Sequence, residues 1–393
     1  MKVMVIGPGQ CGNNIADEFC KMDKIVRHNR KISVVVDAFA VNTDEGDLSG
    51  MKYLPRDYQH RILIGGRETS GHGVGKLNER AAKYAKDESQ KIIDAIGANP
   101  NLFEVDAFLI AGSGGGGTGS GSIPFIVERI KKEYPQKYVY ALVVLPYEYE
   151  ENNEERTRLN TASCLKATYD RADAVILVDN ERYASLFGRI SANYFLVNQQ
   201  IVNSFRDLLC AGEERKPERV GSRVVDAGDI TATIEGWTII GWGGYDVSLF
   251  KALAKDKKDF LKKSAETRKG IGALDKALKL ISIKSGQKEY AEAQNVLYLF
   301  SAPEKEMNLD TIKDSERYLK ELMPEALIRG GTYPYERRAI EATVILSKMG
   351  ELERIKNIYR AGEEFTKVME NRQKDYEGKL DKIKRLGEGV PDL

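Results

Sequence analysis

Ala111-Gly112-Ser113-Gly114-Gly115-Gly116-Gly117-Thr118-Gly119-Ser120-Gly121 is the stretch that decides the fold: seven of the ten residues from Gly112 to Gly121 are glycine, and the others carry hydroxyls. An apolar run over 105–110 leads in, and Ile123-Pro124-Phe125-Ile126-Val127 leads out. The order reads strand, glycine loop, helix, with Pro124 expected in the helix's first turn. Glycines let the backbone come close to a ligand and aim consecutive N–H groups at it. The helix N-terminus behind them favours an anion. The loop therefore suits phosphate. A flexible linker of the same composition would rarely be clamped between a strand and a helix.

Outward from this loop, the first half alternates short apolar runs (3–6, 39–42, 61–64, 105–110, 139–145, 174–178) with helical patterns (13–22, 76–96, 123–134, 154–171). Such alternation predicts a parallel sheet covered by helices, with ligands at the carboxyl ends of the strands. A long helix is expected over 191–210, apolar around much of its circumference and so buried between two bodies. A charged loop, 212–219, ends it. From about 230 the pattern changes to strands at 231–242, 295–301, 327–333 and 339–346, with helices near 247–253, 259–280 and 311–322. That predicts a smaller α+β domain. The tail over 351–386 repeats apolar residues at helical spacing, with a break expected at Ala361-Gly362. It is read as packing on the body, with a partner-binding coiled coil as the alternative.

The balance of 60 basic and 59 acidic residues, net +1, gives no electrostatic reason to expect nucleic acid or an anionic membrane surface as a partner. Cys11, Cys20, Cys164 and Cys210 form no Cys-x-x-Cys pair, and only 3 histidines are present, which argues against zinc. No signal-peptide pattern opens the sequence, and no apolar run approaches the roughly 20 residues that span a bilayer. A reducing, cytoplasmic setting is expected, without direct membrane insertion.

A second glycine motif, Gly7-Pro8-Gly9-Gln10-Cys11-Gly12-Asn13-Asn14, follows the first apolar run and satisfies G-x-G-x-x-G. Asp37 stands where a ribose-binding acid could follow, so a nicotinamide-dependent oxidoreductase is one reading. It leaves the richer loop at 112–121 unexplained. It also leaves Asn13 and Asn14 unexplained, whose amides suit base or ribose contacts. Gly71-His72-Gly73-Val74-Gly75-Lys76-Leu77 narrowly misses a Walker A loop: the spacing is one short, and leucine replaces the Ser/Thr that would hold Mg²⁺. Phosphates would then have to be cradled by amides from several loops: 9–12, 71–73 (with Gly71 and Gly73) and 114–119.

Gly9-Gln10-Cys11-Gly12-Asn13 followed by Gly115-Gly116-Gly117-Thr118-Gly119-Ser120-Gly121 resembles the tubulin/FtsZ superfamily. Phe39-Ala40-Val41-Asn42-Thr43-Asp44 and Pro146-Tyr147-Glu148-Tyr149-Glu150 echo its bacterial division-protein branch. The mixture is most similar to the archaeal tubulin-like CetZ group. The resemblance implies an α/β fold with a Rossmann-like GTPase domain (1–190), a central helix and synergy loop (191–229), a C-terminal α+β domain (230–350) and a helical extension (351–393). It also implies a GTP-binding, self-assembling cytoskeletal filament, in archaeal cell shape, with GTP/GDP and Mg²⁺ as ligands. Partners would be further copies of the chain, head to tail, and unidentified cytoskeletal adaptors. The tail shows neither the acidic stretch of eukaryotic tubulins nor the adaptor peptide of the division proteins, so partners recruited through such tails are not expected.

The same resemblance implies roles position by position. Gln10, Cys11 and Asn13 would line the α/β-phosphate side. Asn42 and Asp44 would approach the γ-phosphate and Mg²⁺. Gly115, Gly116, Gly117, Thr118 and Gly119 would wrap the phosphates. Asn180 would approach guanine or ribose, Tyr194 would stack on guanine, and Asn198 would read its edge. The ribose acid is Glu150 by loop match, the narrowly favoured choice, or Glu154 with Arg158 by spacing. In Val225-Asp226-Ala227-Gly228-Asp229-Ile230, the two acids would project into the nucleotide pocket of the next subunit and orient the attacking water. Read without the family, the same residues make a turn followed by a strand. Val224 departs from the asparagine of the division-protein branch, which leaves a weakly hydrolysing regulatory member as an alternative.

Overall fold

The apolar runs of the first half form β1 (Val3–Pro8), β2 (Val35–Asn42), β3 (Arg61–Leu63), β4 (Ala107–Ser113), β5 (Tyr138–Leu145) and β6 (Ala174–Asp179) in a computed structural model of the chain. Residues 1–187, 190–246, 270–283, 290–304, 307, 309–335 and 339–388 are described. The second half adds β7 (Gly236–Asp246), β8 (Asn295–Ala302), β9 (Leu327–Pro334) and β10 (Ala339–Ser347). All join one 10-stranded sheet in the order β3-β2-β1-β4-β5-β6-β7-β10-β8-β9. Pairing is parallel from β3 through β7, antiparallel on both sides of β10, and parallel again between β8 and β9. The strand order reverses between β1 and β4, which makes that junction the switch point where a doubly wound sheet opens a crevice.

Successive strand residues point to opposite faces. Met4, Ile6, Phe108 and Ile110 enter one core, and Val3, Val5, Ala107 and Leu109 enter the other. The first face is covered by α4 (Asn78–Asp87), α5 (Ser89–Gly97), α6 (Thr118–Glu133), α8 (Glu155–Tyr169) and the start of α13 (Glu353–Gly387). The second is covered by α1 (Gly9–Arg30) and α10 (Ile190–Ala211). Burial on both faces explains why these strands read as continuous apolar runs. Both cores extend to β8, with Val296 and Tyr298 in one and Leu297 and Leu299 in the other.

Short helices complete the first half: α2 (Glu45–Ser49), α3 (Gly66–Thr69), α7 (Glu148–Asn153) and α9 (Asn180–Phe187). Beyond β6 come α11 (Ala227–Thr233) and α12 (Leu309–Leu322). Residues 270–279 are also helical. The helix expected at 247–253, and the part of the next one over 259–269, lie outside the described residues. Among the described residues, no helix is long and apolar enough to cross a membrane.

Several expectations are corrected. Helix 13–22 starts earlier and ends later, as α1. The stretch 76–96 divides at Glu88 into α4 and α5. Pro124 lies inside α6, not in its first turn, because the helix begins within the glycine stretch at Thr118. Residues 231–233 are helical, since Asp226 caps α11 and draws the chain into a turn of helix before β7. Phe195 on α10 is 57% exposed, beneath the ammonium of Lys21, 5.2 Å from the ring centroid. Helix α13 runs unbroken through Ala361-Gly362. Gly362 sits where α13 crosses α8: a Cβ there would lie 2.6 Å from the Cβ of Ala162. The glycine permits a close crossing of helices.

Candidate nucleotide site

At the carboxyl ends of β1, β2, β4, β5 and β6 lies a cleft of about 580 Å³. Two helices begin at it. Helix α1 starts at Gly9 behind Pro8, and α6 starts at Thr118 behind Gly117. Neither has a side-chain cap, and neither carries an acid in its first turn. Their first N–H groups thus have no side-chain acceptor and no competing carboxylate. Two such ends facing one cleft make a strong anion site. The loops bearing them touch. Gly9 has φ +73°, and a Cβ on it would lie 2.8 Å from the amide nitrogen of Gly119. Only glycine meets both demands there.

The wall beside these loops is a network of amides and acids. Asn13 is buried; its Nδ2 donates to Gly7 O (2.6 Å) and Val41 O (3.3 Å), and its Oδ1 accepts from Asn42 Nδ2 (2.7 Å). It clamps β1 to β2 from behind and does not line the cleft. Gly12 is likewise behind the lining. Asn42 also reaches Asp47 Oδ2 (3.2 Å), and Gln10 Nε2 donates to Asp47 Oδ1 (3.0 Å). Asp44 caps α2, accepting from the amide of Asp47 at 3.0 Å. Burial and then the neighbouring Asp44 push the Asp47 carboxyl up, against the amides of Asn42 and Gln10 that hold it down. Thr43 Oγ1 and Thr118 Oγ1, 2.8 Å apart, join the β2 loop to α6.

The far wall is aromatic. Tyr194 and Asn198 on α10, Asn180 after β6 and Glu150 on α7 line it. The Tyr194 hydroxyl donates to Glu150 Oε1 at 3.0 Å, and its ring meets that of Tyr147 edge-on, with centroids 5.7 Å apart. Burial, with Tyr149 and Glu150 beside it, pushes the Tyr194 phenol up, so it stays a neutral donor. Cys11 lines the cleft between the two walls; burial, then Glu150, pushes its thiol up to about 12, and it is no nucleophile at neutral pH.

Gly9, Gln10, Cys11, Asn14, Asn42, Asp44, Gly73, Gly116, Gly117, Thr118, Gly119, Glu150, Asn180, Tyr194 and Asn198 therefore share one cleft. Gly71 and Gly115 stand outside its lining. Glu154 forms an ion pair with Lys76, and Arg158 donates to Asn152 Oδ1 at 2.8 Å; neither lines the cleft. Asp226 and Asp229 lie elsewhere, on α11. There Asp226 Oδ1 accepts from the Asp229 amide (2.9 Å), and Asp229 Oδ2 accepts from the Asp226 amide (3.4 Å). Asp37, near the start of β2, accepts from Asn99 (2.6 Å) and pairs with His60 (3.2 Å), and it does not line the cleft. The oxidoreductase reading loses its ribose acid.

Six lining residues went unnoticed as site candidates in the sequence: Pro8, Asp47, Val74, Gly75, Lys76 and Ser113. The near-miss glycine run held the signal for three of them, since its backbone turns with positive φ at Gly73, Gly75 and Lys76. Asp47 follows Asp44 by three residues at a helix start, a spacing that brings two acids to one helix end.

Comparison with known proteins matches this geometry. A family described as Tubulin/FtsZ family, GTPase domain matches residues 2–187, and one described as Tubulin-like CetZ, C-terminal domain matches 188–364. Tubulin-like protein CetZ1 of Haloferax volcanii is 30% identical over 372 residues, covering 91% of each chain. The structure of the GDP-bound monomer of CetZ1 from Haloferax volcanii superposes with a TM-score of 0.78 at 27% identity, over 93% of this chain and 99% of that one. The GTPγS-bound protofilament of CetZ2 from Haloferax volcanii gives 0.76 at 24% identity, over 94% and 100%.

Proposed function

The chain belongs to the tubulin/FtsZ family, in its CetZ branch, and on that premise we propose that it binds GTP in the cleft and assembles head to tail into filaments that hydrolyse it. The observation that carries the reading is the meeting of two uncapped, acid-free helix starts at one cleft whose opposite wall presents an aromatic ring and two amides. The N–H groups of α1 and α6 would take the phosphates. The Tyr194 ring would stack on the base, with Asn198 at its edge and Glu150 at the ribose. Asp44 and Asp47, two acids at the γ-phosphate end, suit an Mg²⁺ shared with the phosphates. The relatives' bound GDP and GTPγS support the nucleotide assignment.

Hydrolysis needs a positioned water more than covalent chemistry. Asp226 and Asp229 are the acids that the family resemblance puts forward, and they are outside the cleft of their own chain. In our reading they enter the cleft of the next copy, orienting and polarising the water. Val224, two residues before Asp226 and 47% exposed, supplies apolar surface for the contact. The contact joins unlike ends, so it propagates and does not close. The protofilament relative supports such assembly. On the family resemblance, the filament is read as an element of archaeal cell shape. The four free thiols suit a reducing cytoplasm.

The test is turnover per subunit against protein concentration. It should rise steeply as filaments form. A specific activity that stays flat from dilute monomer to sedimentable polymer would sink the shared-site reading.

A further inference from the structure

Phe365 is the last buried residue of α13. From 366 to 386 every residue except the half-buried Leu380 is exposed, and the ion pair of Arg372 with Glu155 (2.9 Å) ties the base of this stretch to α8. The 15 residues from 373 to 387 continue as helix for about 22 Å. An isolated polar helix of this length is marginal in water, yet this one carries an apolar stripe. Met369, Tyr376 and Ile383, 39%, 60% and 66% exposed, recur every seven residues, and Arg372, Lys379 and Leu386 follow each of them by three. A strict seven-residue repeat is the seam of a left-handed coiled coil.

Charge decides what lies against the seam. Within the exposed stretch, residues 366–377 hold three acids and three bases, and 378–387 hold one acid and four bases. A second copy running antiparallel sets the charge-balanced half of each helix beside the basic half of the other, whereas a parallel copy sets the two basic halves together. A parallel copy would place Arg372 against Arg372 and Lys379 against Lys379 in the seam, stacking like charges. The antiparallel register sets Met369 against Leu386 of the second copy, Arg372 against its Ile383, and Tyr376 against its Lys379. The last pairing puts an ammonium at an aromatic ring. On the flanks, Asp375 meets Lys382 of the second copy, twice by symmetry.

We propose that residues 366–387 form an antiparallel two-helix contact with the same segment of a second copy of this chain. The surface is distinct from the nucleotide cleft and from the Asp226 end, and pairing needs neither GTP nor filaments. A seam this short, with a cation in four of its six layers, makes a weak dimer in isolation. Repeated along two assemblies, it links them by avidity.

Sedimentation of the full-length chain with GDP tests this from micromolar to hundreds of micromolar. A monomer–dimer equilibrium is expected. Ile383→Asp or Asp375→Lys should weaken it at least tenfold with GDP affinity unchanged, and the Asp375→Lys/Lys382→Asp double variant should restore it. Mixed Met369→Cys and Leu386→Cys chains should form an intermolecular disulfide, and neither variant alone should. A chain monomeric at every concentration overturns the proposal. So does charge reversal without effect, or a Met369→Cys chain that cross-links with itself, which marks a parallel pair. Loss of GTP turnover with dimerisation intact bears on the cleft and leaves this contact standing.

Discussion

The cleft and the Asp226 end of the molecule are built on opposite plans. In the cleft, side chains hold one another: Gln10 and Asn42 both donate to Asp47, Asn13 clamps Asn42, and Tyr194 donates to Glu150. At α11, the hydrogen bonds of the Asp226 and Asp229 carboxylates run to each other's backbone amide in a capping box. Two residues before Asp226, Val224 is exposed. A binding wall must be rigid before its ligand arrives, so it is cross-braced within the chain. On the proposed reading these carboxylates act on a neighbour and need only be aimed outward, and a helix cap does that with two hydrogen bonds.

The largest effect that would break this contrast is at Asp226. Asparagine caps helices as well as aspartate, so Asp226→Asn should keep α11 while removing the charge. We expect GTP turnover in polymerised samples to fall about 10²–10³-fold, the size seen when one oriented polar group leaves a transition state. Nucleotide affinity should stay within about twofold of the parent. Phosphate release and equilibrium nucleotide binding, measured together, check both halves. If affinity fell with turnover, the acids would belong to binding and the two ends would not be separate devices.

Glycine substitutions sharpen the same contrast. Gly9→Ala forces a side chain into positive φ and onto Gly119, and should cost about 2 kcal/mol of stability with much of the nucleotide affinity. Gly228→Ala in α11 meets only the Asp226 carboxylate, at 3.1 Å, and should change stability by about 0.5 kcal/mol or less. Chemical denaturation of the two variants compares the regions directly. Equal losses would mean that the cleft is no more tightly braced than the other end.

The strand that ends behind the cleft carries a cost that α11 does not. Asp179, at the end of β6, is buried, and its carboxyl is pushed up to about 6 by that burial, against the pull of Arg354, whose Nε lies 3.2 Å away. In the unfolded chain it titrates near 3.9. Below about 4 both states hold the proton and the raised folded value contributes its full stability. That share is lost as pH rises through about 6 and the buried group ionises. The stability difference between the parent chain and Asp179→Asn should therefore shift against the parent by on the order of 2 kcal/mol between pH 4 and pH 7. Denaturant midpoints at several pH values test this, and a constant difference would remove the cost.

How far the sequence could be read follows from the range of each signal. The loop at 112–121 and the motif at 7–14 are local, and they led to the phosphate end of the cleft, while the alternation of apolar runs and helical patterns led to the parallel sheet and the family resemblance to the aromatic wall. Residues whose position depends on distant chain were missed. Lys76 reaches the cleft because four positive-φ residues, Gly71, Gly73, Gly75 and Lys76 itself, turn the loop, and Asp47 because Gln10 and Asn42 draw it in. Glycine was over-read as punctuation. In the sequence Gly362 reads as a helix break, although Ala162, two hundred residues away, is what requires it. Gly121 belongs to the phosphate signature by position, yet it serves packing: a Cβ there would lie 2.2 Å from Asn78 O on the neighbouring helix. At α11 the signal was local and was passed over. Asp226 and Asp229, three apart before apolar Ile230, are a capping pattern, but the β-branched run after them reads as strand.

The smallest effect separates two uses of one side chain in the bracing of the cleft. Tyr194 offers a ring to the base and a hydroxyl to Glu150. If stacking is its main contribution, Tyr194→Phe should bind nucleotide almost as the parent does, and Tyr194→Ala should lose about 1 kcal/mol, roughly fivefold in Kd. If the hydroxyl matters more, because it holds Glu150 against the ribose, Phe and Ala should be equally impaired. In that case the aromatic wall is itself a brace, and its chemistry lies in the carboxylate it holds. Titrating GDP against the two variants decides between a ring that binds and a hydroxyl that positions.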